Sequence, residues 1–275
     1  MTLSVDLTRV PLVIYHANCA DGFCAAWLMW RFCHTCGSQA EYLPAKYGDK
    51  PPDVTGRTVF VLDFSYPRAE LIEMHSKAKS LLVLDHHKTA EADLAGLDFC
   101  KFDMNKSGAR MTWEYVSNGN GGKFWPVDYT EDRDLWRWAL PNSREVNAAL
   151  RSYPMTFDSW DKLNEDGDRH TLAREGTAIL RAERQVIDLA IKAARKFEFD
   201  GFTGMGVNAT AHISETAGEL AKGRDFGLCW FETSTGDRVF SLRSTLEGCD
   251  VSAICKKRGG GGHKNAAGFT VKNAG

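Results

Sequence analysis

Three short, almost uninterrupted apolar runs mark the first third of the chain: PLVIYH, TVFVLDFS and SLLVLDHH. Each is too short for an ordinary helix and rich in Val, Ile or Leu, so each reads as a strand buried on both faces. Between and after them come GFCAAWLMWRFC, PRAELIEMHSKAK (opened by Pro67), SGARMTWEYV and PVDYTEDRDLWRW, all with helical spacing. Buried strands alternating with helices predict a parallel sheet covered on both sides, an α/β fold.

From Thr171 to Lys196 runs one long helical pattern, TLAREGTAILRAERQVIDLAIKAARK, with mixed charges on its polar face. The texture changes after it. DFGLCWFET, STGD and RVFSLRST read as strand, turn and strand, a hairpin signal. DVSAICKKR follows as a short helix, and GGGGHKNAAGFTV as a glycine loop leading into a final strand. The expected division is a first domain over 1–165, a helical linker over 166–198 and a smaller α/β domain over 199–275. No internal repeat is visible.

Composition narrows the classes without choosing among them. With 43% hydrophobic and 25% charged residues in a chain of 275, the protein has the make-up of a soluble globular one. A formal net charge of -2 argues against a general nucleic-acid coat, which would be basic. A small anionic substrate stays open, because local His, Arg and metal can reverse the sign within one cleft. No apolar run reaches the length of a membrane span, and MTLSVDLTRV lacks the apolar core of an export signal. The eight cysteines are irregularly spaced, which suits reduced thiols in a cytoplasmic protein. CHTC (Cys33 to Cys36) has half a zinc-site spacing, but no second CxxC follows, so it reads as a helix end.

The polar residues fall where such a sheet would use them. YHANCADG supplies His16, Asn18, Cys19 and Asp21 after the first strand; Asp63 ends the second, and Asp85, His86 and His87 end the third. Parallel α/β sheets bind ligands outside the carboxyl ends of their strands, so these groups should meet in one crevice. Asp132 and Asp134, in EDRDLW, are further carboxylates on or before a helix. Singly, an Asp after a strand is commonly a helix cap and a lone His structural. Together, so many carboxylates would repel one another unless a divalent cation joined them. Mixed imidazole and carboxylate ligands suit manganese, and also zinc, iron or cobalt.

This set resembles the DHH phosphoesterase superfamily, whose name is the triplet Asp85-His86-His87. YHANCADGFCAAW is similar to its first motif, LDFS to its second, LDHH to its third and DRDLW to its fourth. SLRST followed by GGGGHKNAAGF is similar to the signature of the DHHA1 substrate-binding domain, of the nanoRNase and cyclic-nucleotide phosphodiesterase type. The resemblance implies a parallel-sheet DHH domain joined by a long helix to a smaller α/β DHHA1 domain, with the active site in the interdomain cleft. It implies His16 and Asp63 as ligands of one metal, and Asp21, Asp63, His86 and Asp132 as ligands of a second. Asp132 is favoured over Asp134 because it sits earlier. His87 would face the scissile phosphate and Asp85 orient the neighbouring imidazole. Arg243 and Ser244 would hold a phosphate or base, and Gly260, Gly261, Gly262 and His263 would cradle a phosphate.

Cys19 departs from the pattern, standing where the first motif usually carries an aspartate. Either a thiolate replaces that carboxylate as a ligand, or water completes the site. The activity implied is a phosphodiesterase using two divalent metal ions, Mn2+ foremost, with Mg2+, Co2+ or Zn2+ as substitutes. Its substrates would be nanoRNA, dinucleotides, cyclic (di)nucleotides or pAp. The alternatives are a nucleotide-binding sensor that has lost turnover, for which Cys19 speaks, and a phosphomonoesterase or pyrophosphatase on the same scaffold. The partner expected is a small nucleotide or short single-stranded oligonucleotide, with no long duplex and no membrane; a homodimer is left open.

Overall fold

A computed structural model describes residues 10–273. The start of the opening segment, read above as carrying no export core, lies outside them. The chain divides into two compact units, one up to Ile179 and one from Leu180.

The first unit is built on a five-stranded parallel sheet of order β2-β1-β3-β4-β5. Its strands are β1 (Leu12–His16), β2 (Glu41–Ala45), β3 (Thr58–Leu62), β4 (Ser80–Asp85) and β5 (Cys100–Phe102). Around them lie α1 (Ala20–Thr35), α2 (Arg68–Lys77), α3 (Lys88–Asp93), α4 (Gly108–Val116), α5 (Trp125–Asp134), α6 (Ser143–Ser152) and α7 (Phe157–Asp166). The three foreseen strands are β1, β3 and β4. Their side chains alternate between two cores: Val59 and Val61 join Leu12, Ile14, Leu81 and Val83, while Phe60 and Leu62 join Val13, Leu82 and Leu84. Both faces are therefore covered, which is why these segments carry no polar alternation. Helix α1 is buried almost continuously from Asp21 to Met29, with Ala25 and Met29 on the sheet and Phe23, Trp27 and Leu28 against Val127 and Trp160.

Helix α8 (Arg169–Lys192) spans the boundary between the units, and β6 (Arg195–Phe199) begins within the expected linker. The second unit continues with β7 (Phe202–Asn208), α9 (Ile213–Ala221), β8 (Phe226–Glu232), β9 (Arg238–Arg243), α10 (Val251–Lys256), β10 (Gly261–His263) and β11 (Ala266–Val271). Its sheet has the order β10-β11-β9-β8-β7-β6, antiparallel except for β7 with β8. The predicted hairpin is β8–β9. The glycine segment differs from expectation: it holds an edge strand, β10, paired with β11, rather than a loop. A Cβ on Gly260 would lie 2.0 Å from the Gly268 carbonyl oxygen, so the glycine is needed for packing against β11. Among the described residues no helix is long and apolar enough to cross a membrane.

Candidate active site

In a parallel sheet of order 2-1-3-4-5 the chain reverses its winding between the first and third strands, and a crevice opens at their carboxyl ends. His16 ends β1, Asp63 follows β3, and Asp85, His86 and His87 end β4. Asp63 is held at φ 53°, a left-handed backbone that turns its carboxylate out of the strand direction. Asp21 sits in the first turn of α1 and Asp134 is the last residue of α5.

Asp85 organises this end of the sheet. Its Oδ1 accepts from the His86 N–H (2.7 Å), the His87 N–H (3.2 Å) and His87 Nδ1 (2.7 Å). Its Oδ2 accepts from the Ser65 hydroxyl at 2.5 Å. Burial opposes ionisation of Asp85, but the His87 charge and these bonds hold it below the usual carboxylate range. With Nδ1 tied to Asp85, Nε2 is the nitrogen that His87 can offer elsewhere.

His86 Nε2 is ringed by carboxylates: Asp63 Oδ1 at 3.0 Å, Asp134 Oδ2 at 3.4 Å and Asp21 Oδ2 at 3.6 Å. Asp63 turns its other oxygen to His16, with Oδ2 3.5 Å from Nδ1. Two triads result, Asp21–His86–Asp134 and His16–Asp63–His87, each with ligand atoms within 4.8 Å of one another. Asp21, Asp63 and His86 are each 1% exposed.

Charge in this pocket is out of balance. Burial, followed by the charges of Asp63 and Asp134, raises Asp21 well above the usual carboxylate range, and burial raises Asp134 too. Asp63 goes the other way: burial alone would raise it, but the neighbouring His16 and His86 imidazoles hold it well below. Burial would lower His86, yet the Asp63 bond and the Asp134, Asp63 and Asp21 charges push it up to about 10. One imidazolium cannot neutralise three carboxylates, and a single Nε2–H can serve one of them. His16 Nδ1, Asp63 Oδ2 and Asp134 Oδ2 are buried with no hydrogen-bond partner. Buried polar atoms are ordinarily satisfied, and a cation would satisfy these. The residues therefore fit divalent metal.

Asp132, favoured from the sequence, stands apart from both triads. Its Oδ1 accepts from the Ala139 N–H (2.9 Å), and its Oδ2 from the Leu140 N–H (3.3 Å) and the Ser143 hydroxyl (2.5 Å). It serves the turn after α5, while Asp134 stands with Asp21 and His86. Two positions apart on a helix lie on opposite faces, so only one of this pair can reach the triad. Cys19, the N-cap of α1, joins neither triad. Burial, then the charges of Asp63, Asp134 and Asp21, push its thiol well above the ordinary range.

Some groups escaped the sequence reading. Ser65 lies in the quoted LDFS motif, but its bond to Asp85 depends on the turn after β3. Tyr47, in a turn after β2 without any motif, is 54% exposed and sets its ring edge-on to His16 (5.7 Å) and His87 (5.9 Å).

In the second unit Arg243 ends β9, its guanidinium donating to Ser214 Oγ (2.7 Å), Ser241 Oγ (3.2 Å) and the Leu242 carbonyl (2.8 Å). The Ser244 N–H donates to the Asn265 carbonyl, and Asn265 Nδ2 returns a bond to Ser244 Oγ. The Gly260 N–H is bonded to the Cys255 carbonyl, Gly261 and Gly262 pair with β11, and His263 closes β10.

Residues 12–132 match the model of the DHH family, N-terminal domain. An uncharacterised protein, R106, of Acanthamoeba polyphaga mimivirus is 27% identical over 95% of this chain and 67% of its own. Three solved structures share the fold at 13% identity. An exopolyphosphatase-related protein of Bacteroides fragilis has a TM-score of 0.55, covering 97% of this chain and 87% of that one. RecJ of Thermus thermophilus in complex with Mn2+ has 0.52, over 95% and 49%. The pGpG-specific phosphodiesterase PggH of Vibrio cholerae has 0.51, over 96% and 94%. The match runs from β1 into α5 and takes in the triplet Asp85-His86-His87 at the end of β4, so this part of the first unit is similar to the N-terminal domain of the DHH family.

Proposed function

We propose that the protein is a divalent-metal-dependent phosphodiesterase acting on short nucleotides: dinucleotides and other nanoRNA, cyclic (di)nucleotides or pAp. One observation carries the reading: Asp63 addresses its two oxygens to different triads, Oδ1 to His86 at 3.0 Å and Oδ2 toward His16 at 3.5 Å. The site would hold two cations, with Asp21, His86 and Asp134 on one side, His16 and His87 on the other, and Asp63 between. Bound there, divalent cations supply electrophilic charge to a phosphoryl group and acidify a water as nucleophile. Imidazole in both triads favours manganese over magnesium, which prefers oxygen ligands alone. RecJ in complex with Mn2+, a protein of similar fold, supports a divalent cation.

The chain's own groups do the rest. Asp85 fixes the His87 ring through Nδ1, so that Nε2 keeps one direction through turnover. Burial raises Asp21 and Asp134, so a bound cation would draw both into the ionised form beside Asp63, in a site where its electrostatic interaction with them is strong. In the second unit Arg243, Ser244 and His263 form the donor set proposed for a substrate phosphate, with Arg243 pre-positioned by Ser214 and Ser241. That PggH, of similar fold, is a pGpG-specific phosphodiesterase supports a dinucleotide-sized substrate.

A panel of pApA, pAp, cyclic nucleotides, polyphosphate and pyrophosphate in manganese buffer tests the proposal. Release of mononucleotide from pApA, abolished by exhaustive chelation, is expected. Turnover of polyphosphate or pyrophosphate with every phosphodiester left intact would replace it by the monoester or anhydride reading.

A further inference from the structure

Helix α5 ends in a turn whose left-handed position holds the wrong kind of residue. The Arg137 N–H donates to the Asp132 carbonyl (2.8 Å) and the Trp136 N–H to the Arg133 carbonyl (2.9 Å), the paired bonds of a Schellman turn. Glycine or asparagine usually takes the left-handed place there, because a Cβ crowds the neighbouring carbonyl. Here it is Trp136, at φ 56°, and Trp138 repeats the conformation at φ 53°. Two bulky residues in this region within three positions store strain, and strain persists only where surroundings enforce it.

The enforcing contacts are visible. The Asp132 carboxylate takes bonds from Ala139, Leu140 and Ser143, which clamps the far side of the segment. The Arg144 guanidinium lies 4.3 Å over the Trp138 ring, and the Trp138 ring meets Trp136 edge to face at 5.0 Å. Trp136, a strained choice for its place, nevertheless stays 44% exposed. Burial of apolar surface does not explain an indole held out in this way. Its chain position sets it close to the site: Asp134, of the Asp21–His86–Asp134 triad, is two residues back, at most about 7 Å along the backbone.

We propose that Trp136 is a specificity-determining residue on which a nucleobase of the substrate stacks, with Trp138 and Arg144 as its buttress. The inference deepens the proposed function and rests on it. Aromatic stacking accepts every base, since each has a π-face, so Trp136 separates nucleotides from base-free phosphates rather than one base from another.

The test is equilibrium binding of AMP and of ribose 5-phosphate to the manganese-loaded protein. The wild type binds AMP about five- to a hundredfold more tightly, the range of one base stacked on one aromatic ring. W136G removes that ratio and leaves ribose 5-phosphate affinity in place, while W136F keeps part of it. W136G also raises Tm, because glycine adopts the left-handed position without strain. A Trp136 that merely supports the fold gives the opposite pattern, a lower Tm and an unchanged ratio. Should W136G fail to fold, Trp136→Leu, apolar but without a π-face, must lose the ratio. An unchanged ratio in the folded variants, or none in the wild type, overturns the platform. A base-dependent ratio in a wild type that hydrolyses no phosphodiester would instead defeat the proposed function and leave the platform standing.

Discussion

The carboxyl ends of β1, β3 and β4 and the β9–β11 region of the second unit are both rich in polar residues, but they use them differently. In the first unit three carboxylates gather around one imidazole, and His16 Nδ1, Asp63 Oδ2 and Asp134 Oδ2 are buried without hydrogen-bond partners. In the second the polar groups bond to the chain itself: Arg243 to Ser214, Ser241 and Leu242, Asn265 to Ser244, the Gly260 N–H to Cys255. An unbalanced buried charge costs stability unless something compensates it, so its survival points to a cation. A satisfied polar network can stand by itself and adjust when a ligand arrives. The first region carries the proposed chemistry, the second the proposed recognition of substrate.

Asp63→Ala should break that contrast most severely, because one carboxylate addresses both triads. A fall in kcat of about a thousandfold or more is expected, the scale at which groups facing developing charge act. A folded variant keeping a tenth of the activity would remove Asp63 from the centre.

Asp134→Asn and Asp132→Asn sharpen it within one helix. The first should cost about a hundredfold in kcat and reduce bound metal with Tm undiminished, since a crowded carboxylate is lost. The second should keep its metal and lose about 1–3 kcal/mol of stability, through bonds to Ala139, Leu140 and Ser143. Exchange of the two phenotypes would restore Asp132 as the ligand.

In the second unit, Arg243→Ala and His263→Ala should raise KM by about ten- to a hundredfold, each through loss of a charge-assisted hydrogen bond. Metal content should match the wild type. Unchanged KM in both, across the substrate panel, would mean that these residues do not touch substrate.

Acidity separates the regions more gently. His86 is ordinarily at 6.5 and stands at about 10 in the folded, metal-free chain. The folded state thus binds the proton more tightly, so this stabilisation is complete below 6.5 and is lost as pH rises through about 10. Asp21 and Asp134, also raised, act in the same direction from their own ordinary values upward. The chelated protein should therefore show a lower Tm at pH 9 than at pH 6. Saturating manganese should flatten the difference, because metal displaces the His86 proton. A chelated Tm that climbs over this interval would contradict the charge balance described.

What the sequence shows follows from burial. β1, β3 and β4 were legible because both faces are covered, which leaves uninterrupted apolar runs ending in the site residues. The edge strands were not. β2 carries Pro44, β5 has three residues, and β6 alternates exposed Arg195 and Lys196 with half-buried Phe197. A strand with one side open has no such signature. The run of glycines read as a loop because glycine breaks elements in isolation, whereas here it lets β10 pack against β11. Asp132 and Asp134 could not be told apart from spacing, since the choice of face depends on where Ser143 and the start of α6 come to lie. LWRW has helical spacing, yet α5 stops at Asp134 in the turn that exposes Trp136.

Asp63 is proposed to join two cation sites, and a count of bound metal decides whether it does. Exhaustively chelated protein should take up two manganese ions per chain at equilibrium, and Asp63→Asn one or none, with its fold intact by circular dichroism. Two ions bound with unchanged affinity by the folded variant, or none by the wild type, would contradict the account.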